Sequence, residues 1–302
     1  MTDHAVAHED LRPLMFSIAY RMLGSVVEAE DVVQDAFLKM HRAHDAGTVI
    51  ESPDAYATTV TTRLAIDALG SARLRREQYV GPWLPEPLVA DRAPDPAHRI
   101  ELDDSVSVAM LALMERLSPV ERAVFILRET LGYDYTDIAA VVERSEANCR
   151  QLFARARQHL ADGKPRFEAS TVRRDQLVGA FLRAVQEGAL EDLERLLAED
   201  VVFYGDGGGR APAFSAPLLG PAQVARTLLG LARRSDRAGI RLEATGVNGQ
   251  PGLLATGPDG ALLCVLSLDV VDGRVAALRN QLNPDKLAHL GHVGDLAAAL
   301  GG

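Results

Sequence analysis

Residues 136–157 read TDIAAVVERSEANCRQLFARAR, a pattern of two helices joined by a tight turn. Ile138, Ala139, Val141 and Val142 supply the buried stripe of a short first helix, and Ser145 offers a side-chain oxygen to cap a second. On that second helix Cys149, Leu152, Phe153, Ala156 and Leu160 recur at helical spacing and must face inward. The opposite face follows from this. Gln151 lies at its centre between the small residues Ala147 and Ala154, with Arg150 and Arg155 beside it and Asn148 and Arg157 further round. Small residues let a helix enter a groove, and Gln, Asn and Arg carry the hydrogen-bonding groups that read base edges. The plain alternative is a helical hairpin with a solvated basic face.

Working outward, the 302 residues suffice for two or three domains with cores of their own. No apolar run approaches the roughly 20 residues of a membrane span, and the N-terminus MTDHAVAHEDLRP lacks a basic-then-apolar signal, so a cytoplasmic protein with no membrane partner is expected. Cys149 and Cys264 are far apart on apolar positions. They read as buried thiols; no metal spacing is present and no cofactor is expected. A net charge of −10 argues against indiscriminate binding to nucleic acid. The positive charge is concentrated in two islands, Arg63, Arg73, Arg75 and Arg76 in one and Arg150, Arg155, Arg157, Lys164 and Arg166 in the other. Two islands with an acidic stretch between them suit a DNA contact split in two and weak without a partner.

Before the helix pair, residues 9–23 form a helix stopped at Gly24, and Ser25 caps a second whose core stripe is Ala29, Val32, Val33, Ala36, Phe37 and Met40. Its other face presents Glu30, Asp31, Gln34, Asp35 and Leu38, either to a partner or to solvent. A third helix opens at Ser52 and Pro53, carries Arg63 and Asp67, and runs into SARLRR, closing a helical domain at residues 1–77. Residues 78–104 form a proline-rich linker made unusually apolar by Tyr79, Trp83, Leu84 and Leu88, either a plain spacer or a segment with a surface to sit on. Helical periodicity resumes at about Leu102. Ser118, Pro119 and Glu121 then give cap, first-turn proline and capping-box acid for the helix ERAVFILRETLG, and the second helical domain spans 105–164.

After Pro165 the pattern changes class. Helices at about 172–187 and 189–198 precede the strand VVFYG, the turn DGGGR, a helix from Pro221 to Arg234 and a run of strand-like segments with PDG and VDG turns. Helices first and antiparallel strands last predict an α+β domain at 171–290, its helices on one face of a curved sheet.

AEDVVQDAFLK, the stretch AYATTVTTRLAIDALGSARLRREQYVGPWLPEP, and LSPVERAVFILRETLGYDYTDIAAVVERSEANCRQLFARAR resemble the two domains of an extracytoplasmic-function sigma factor of the sigma-70 type. YVGPWLPEP, DGGGR at 206–210 and NPDK at 283–286 resemble the group of those factors with a SnoaL-like C-terminal extension. The resemblance implies two all-α sigma domains, a helical bundle and then a helix-turn-helix, followed by an α+β SnoaL-like cone-shaped barrel. It implies core RNA polymerase and promoter DNA as partners. Asp31, Gln34, Asp35 and Leu38 would dock on the polymerase clamp, and Arg63, Asp67, Arg73, Arg75 and Arg76 would read and open the minus-ten element. Asn148, Arg150, Gln151 and Arg155 would face the minus-thirty-five element, with Arg128 and Arg157 on phosphates. Each element is short, and polymerase holds the two domains at fixed spacing, so neither needs high affinity alone. Many relatives have glycine where this chain has Glu143; in a left-handed turn that costs on the order of 1 kcal/mol.

Relatives of the SnoaL-like fold include ketosteroid isomerases and polyketide cyclases, so a small-molecule isomerase or cyclase tethered to a DNA-binding module is the alternative. Catalysis there needs a buried carboxylate or histidine in reach of a carbon acid. Asp206 heads a Gly-Gly-Gly turn where a carboxylate ordinarily accepts from local backbone N–H groups, and His289 and His292 show no evident partner. The expectation is therefore no catalytic residue. A regulatory domain is expected instead, with room for a small ligand in the barrel, touching the linker and first domain through Trp83, Asp206, Gly207, Gly208, Arg210, Asn283, Asp285 and Lys286.

Overall fold

The computed structural model describes residues 2–92, 106–161 and 171–301. The side chain of Arg75, the basic residues Lys164 and Arg166, and residues 93–104 of the expected linker lie outside the described residues. The chain divides into two compact units, one from the described residues within Met1–Gln78 and Met110–Lys164, the other from those within Tyr79–Pro94, Leu102–Ala109 and Pro165–Gly302.

The first unit is helical. Helices α1 (Thr2–Leu23), α2 (Val26–Asp45) and α3 (Pro53–Arg76) pack on one another. The Ser25 hydroxyl caps α2 by accepting from Glu28 N–H at 3.2 Å, and Val26, Ala29, Val32, Val33, Ala36 and Met40 are its buried stripe. After α4 (Val108–Met114), Ser118 and Glu121 close the expected capping box at the start of α5 (Pro119–Phe125). The expected single helix ERAVFILRETLG is not uniform. It passes into a π-helical turn over Ile126–Thr130, where Leu131 N–H reaches back five residues to the Ile126 carbonyl at 3.2 Å. Helices α6 (Tyr135–Val142) and α7 (Glu146–Ala161) complete the unit.

The second unit begins with α8 (Thr171–Glu187) and α9 (Leu190–Leu196), followed by β1 (Leu197–Asp206), β2 (Leu218–Leu219) and α10 (Pro221–Arg237). Strands β3 (Arg241–Val247), β4 (Gln250–Thr256), β5 (Leu262–Val271) and β6 (Arg274–Gln281) then run to the short helices α11 (Pro284–Leu287) and α12 (Leu296–Ala299). The sheet order is β2-β1-β6-β5-β4-β3. The expectation of a wholly antiparallel sheet is corrected at one place: β1 pairs with β6 in parallel. Strands β3 to β6 alternate as neighbours, and the long excursion through α10 supplies the crossover that a parallel pair requires.

Alternate residues serve two cores, because successive side chains in a strand point to opposite faces. Leu253, Leu266, Leu268 and Leu278 join Phe181, Leu193 and Leu228 from the helices. On the other face Leu254, Leu262 and Val265 pack with Leu287, Leu290 and Val89, the last from the proline-rich stretch.

Candidate nucleic-acid interface and linker anchor

On α7 the buried and exposed faces divide as the spacing predicts. Cys149, Ala156 and Leu160 are buried, Leu152 and Phe153 are half-buried, and Ala147, Arg150, Gln151, Ala154, Arg155 and Arg157 are exposed, with Asn148 between the two. Asn148 N–H donates to the Ser145 hydroxyl at 3.2 Å, the cap that starts this helix. The Arg150 guanidinium lies 5.0 Å from the centre of the Tyr135 ring and pairs with Glu146 at 2.8 Å. Arg128 lies 4.9 Å from the same ring and donates to the Tyr133 carbonyl at 2.7 Å, and Arg157 sits over Phe153. Such contacts hold each guanidinium in place against an aromatic ring.

The basic island on α3 is engaged within its own unit. Arg63 donates from Nε to the Val141 carbonyl and from Nη2 to the Ala140 carbonyl, each at 2.9 Å, and pairs with Glu143 at 2.9 Å. It thereby caps the C-terminus of α6, where carbonyls are left without helical partners. Glu143 is left-handed at φ 54°, so the chain bears the strain that glycine would avoid, and gains a carboxylate aimed at Arg63. Asp67, one turn along, is exposed. Arg73 donates to the Glu115 carbonyl at 3.2 Å, and Arg76 pairs with the Glu115 carboxylate and reaches the Leu23 carbonyl at 2.5 Å.

On α2, Asp31, Gln34, Asp35 and Leu38 are exposed. Asp31, Gln34 and Leu38 border a groove that also includes Arg12 and Phe37, and Asp35 lies outside it.

In the second unit the described part of the proline-rich stretch is seated on the sheet. Asp206, wholly buried, accepts from Leu84 N–H at 2.7 Å, from the Tyr79 hydroxyl at 2.5 Å and from Lys286 Nζ at 2.7 Å. This corrects the expectation that Asp206 binds local backbone. It stands at the end of β1 facing a chain segment whose own polar groups need partners in the dry interior. Lys286 Nζ also donates to the Leu84 carbonyl at 2.6 Å and lies 4.5 Å from the Tyr79 ring centre and 4.3 Å from that of Trp83. Gln281 Nε2 donates to the Leu84 and Pro85 carbonyls, and Leu88 exchanges backbone and side-chain hydrogen bonds with Asn248. His289, for which no partner was expected, bonds the Pro87 carbonyl through Nε2 at 2.8 Å. Burial, with Asp206 beside it, pushes the Tyr79 phenol far above its ordinary value, so it remains a donor.

The glycine turn fits closely beneath this segment. A Cβ on Gly208 would come within 2.6 Å of the Tyr79 hydroxyl and 2.3 Å of Asn283 Nδ2, and one on Gly207 within 2.2 Å of the Ala211 carbonyl oxygen. Arg210 and Asp285 pair at 3.3 Å on the exposed side, and Asn283 caps α11 and donates to the Tyr79 hydroxyl at 2.9 Å.

Two family models match the chain, Sigma-70 region 2 over residues 7–75 and Sigma-70, region 4 over residues 107–160. The chain is 36% identical over 293 residues to the ECF RNA polymerase sigma factor SigJ of Mycobacterium tuberculosis, a match covering 92% of this chain and 91% of that one. It belongs to the extracytoplasmic-function sigma factors. The crystal structure of the M. tuberculosis extracytoplasmic function sigma factor SigJ matches 94% of this chain and 98% of its own, with a TM-score of 0.75 and 34% identity. A probable ECF RNA polymerase sigma factor, SigI of M. tuberculosis, is 32% identical over 278 residues, covering 91% of this chain and 92% of that one.

As a sigma factor the protein carries regions 2 and 4 followed by an α+β SnoaL-like domain. Reasoning from the sequence missed Tyr79 as an anchoring donor, Gln281 and Asn248 as the residues that satisfy the linker backbone, and Glu115 as the acid between the two sigma regions. Glu115 had a signal: it is an acid at the end of an apolar helix, seven residues before Arg122.

Proposed function

We propose that this sigma factor contacts core polymerase through the Asp31, Gln34, Asp35 and Leu38 face and the minus-thirty-five element through Asn148, Arg150, Gln151 and Arg155, and that its SnoaL-like domain controls it in cis. The observation that carries the DNA reading is the exposed row of Gln151 and Arg155 opposite a buried stripe. Replacing both with Ala in the full chain should weaken promoter-directed transcription with added core polymerase while leaving the fold intact. Each lost base contact costs roughly 1–3 kcal/mol, so about five- to 150-fold per residue. Transcription at the parent level from a cognate promoter would falsify the assignment of this face.

Arg63, Asp67, Arg73, Arg75 and Arg76 belong on this reading to the minus-ten surface, and the hydrogen bonds of Arg63 and Arg76 to their own unit mark a state that must rearrange before DNA engages. Arg128 and Arg157 contribute phosphate contacts. Asp31 and Asp35 have the wrong sign for phosphate. Reversing both to Lys should impair capture of core polymerase in a pull-down and leave binding to a minus-thirty-five DNA fragment unchanged. If the polymerase is retained fully, the face is only solvated.

Control in cis is supported by the seating of the linker on Asp206, Lys286, Gln281 and Asn248, with Trp83, Gly207, Gly208, Arg210, Asn283 and Asp285 shaping the same surface. A domain with this role has no need of a catalytic carboxylate. Asp206 is committed to Lys286 and the linker, and Asp269 to Arg279. We assign no catalytic residue.

A further inference from the structure

The helix-side face of the sheet carries a partly open cavity of about 110 Å³ lined by Phe181, Leu228, Leu253, Leu266, Cys264 and Asn280, among others. Among the described residues no Asp, Glu, His, Lys or Arg lines it. Register explains what points in. Asn280 pairs with Leu266, which pairs with Leu253, so these three share a face, while the next residue, Gln281, turns to the linker.

Asn280 is 9% exposed, and its Oδ1 is buried with no hydrogen-bond partner among the described residues. A buried amide oxygen without a partner is costly, and native interiors rarely keep one unless something else satisfies it. Desolvation pushes the Cys264 thiol up to about 12, so the one ionisable group among the described lining residues is neutral. An apolar cavity of this order accepts a six-membered ring, and a charged molecule there would lie in low dielectric with no counter-ion.

We propose that this cavity is a binding site for a small, uncharged, mostly apolar molecule bearing one hydroxyl, which hydrogen-bonds to Asn280. A hydroxyl both donates and accepts, so it satisfies the amide in either orientation. The proposal deepens the cis-control reading by naming the chemistry to which the domain responds. It differs from an isomerase or cyclase site in having no acid or base among the described residues that line it.

The test is titration of the full chain with phenol, toluene and benzoate, followed by calorimetry and by shifts in methyl NMR signals. Phenol should bind saturably, toluene more weakly, and benzoate not at all. Asn280→Leu should weaken phenol by about three- to tenfold and leave toluene unchanged or tighter, since a hydrogen bond is lost and apolar surface gained. A second variant, Ala255→Leu, fills the cavity from the β4 side and should abolish both. The proposal is overturned if the folded chain binds none of the probes, or if phenol binds equally to the parent, Asn280→Leu and Ala255→Leu. Because the readout is binding, a negative result leaves cis control standing, and a transcription defect in linker variants would stand apart from it.

Discussion

Replacing Asp206 with Asn is expected to destabilise the second unit by about 3–5 kcal/mol and to loosen the linker from it, because Lys286 is left buried without its counter-charge. The two side chains are 0% and 10% exposed, so solvent screens neither, and the same carboxylate also receives Leu84 N–H and the Tyr79 hydroxyl. The Asn amide keeps one acceptor oxygen for these donors but removes the charge opposite Lys286 and places an NH2 where an oxygen accepted. Trp83 is the single tryptophan of the chain and sits against Lys286, so its fluorescence reports the linker's seat directly. Urea unfolding should show the loss, and the Trp83 emission should shift toward that of a solvated indole before the unit unfolds. Transcription with core polymerase should change as well, at unchanged promoter preference. The double variant Asp206→Asn with Lys286→Met should recover part of the stability, since removing both charges relieves the desolvation that one charge alone leaves. If the single variant unfolds with the parent and keeps the parent emission, the pair does not hold the linker and the basis for cis control is removed.

The sequence made the local architecture legible where one residue does one job. Ser25, Ser118 and Ser145 announce helix starts, and each hydroxyl accepts the backbone N–H expected of it. The inward stripe of α7 follows from spacing alone, and with it the outward face. The three linker motifs were legible as a group needing contact, but their pairing was not. Asp206 and Lys286 are eighty residues apart, and nothing in local pattern says which buried carboxylate meets which amine. The same holds for Arg63. Its position in a basic island suggests DNA, whereas its donors are spent on carbonyls seventy-seven and seventy-eight residues away. Local pattern is equally silent on the direction of β1 beside β6, which depends on where the long connection returns.

The same reasoning applied to the first unit predicts a second large loss, at Glu115. Its carboxylate pairs with Arg122, which is fully buried on α5, and with Arg76 at the end of α3, while its carbonyl accepts from Arg73. Arg122 further donates from Nε to the Arg21 carbonyl at 3.0 Å, so one acid ties together the segments that match regions 2 and 4. Glu115→Gln should cost about 3–5 kcal/mol, because a buried guanidinium then has no counter-charge. Glu115→Leu combined with Arg122→Met should restore much of it. The acid dependence has a definite sign. Burial alone would raise the Glu115 carboxyl, but the Arg122 and Arg76 charges outweigh it and hold the group below its ordinary range. A depressed carboxylate contributes its full stabilisation above its unfolded value of about 4.3 and loses it as the pH falls through the lower folded value. The stability gap between the parent and Glu115→Gln should therefore be flat from neutral pH down to about 5 and shrink only below the ordinary carboxylate range. Urea titrations of both proteins across that interval measure it. A gap that stays constant into acid would mean that the charge on Glu115 is not what holds Arg122.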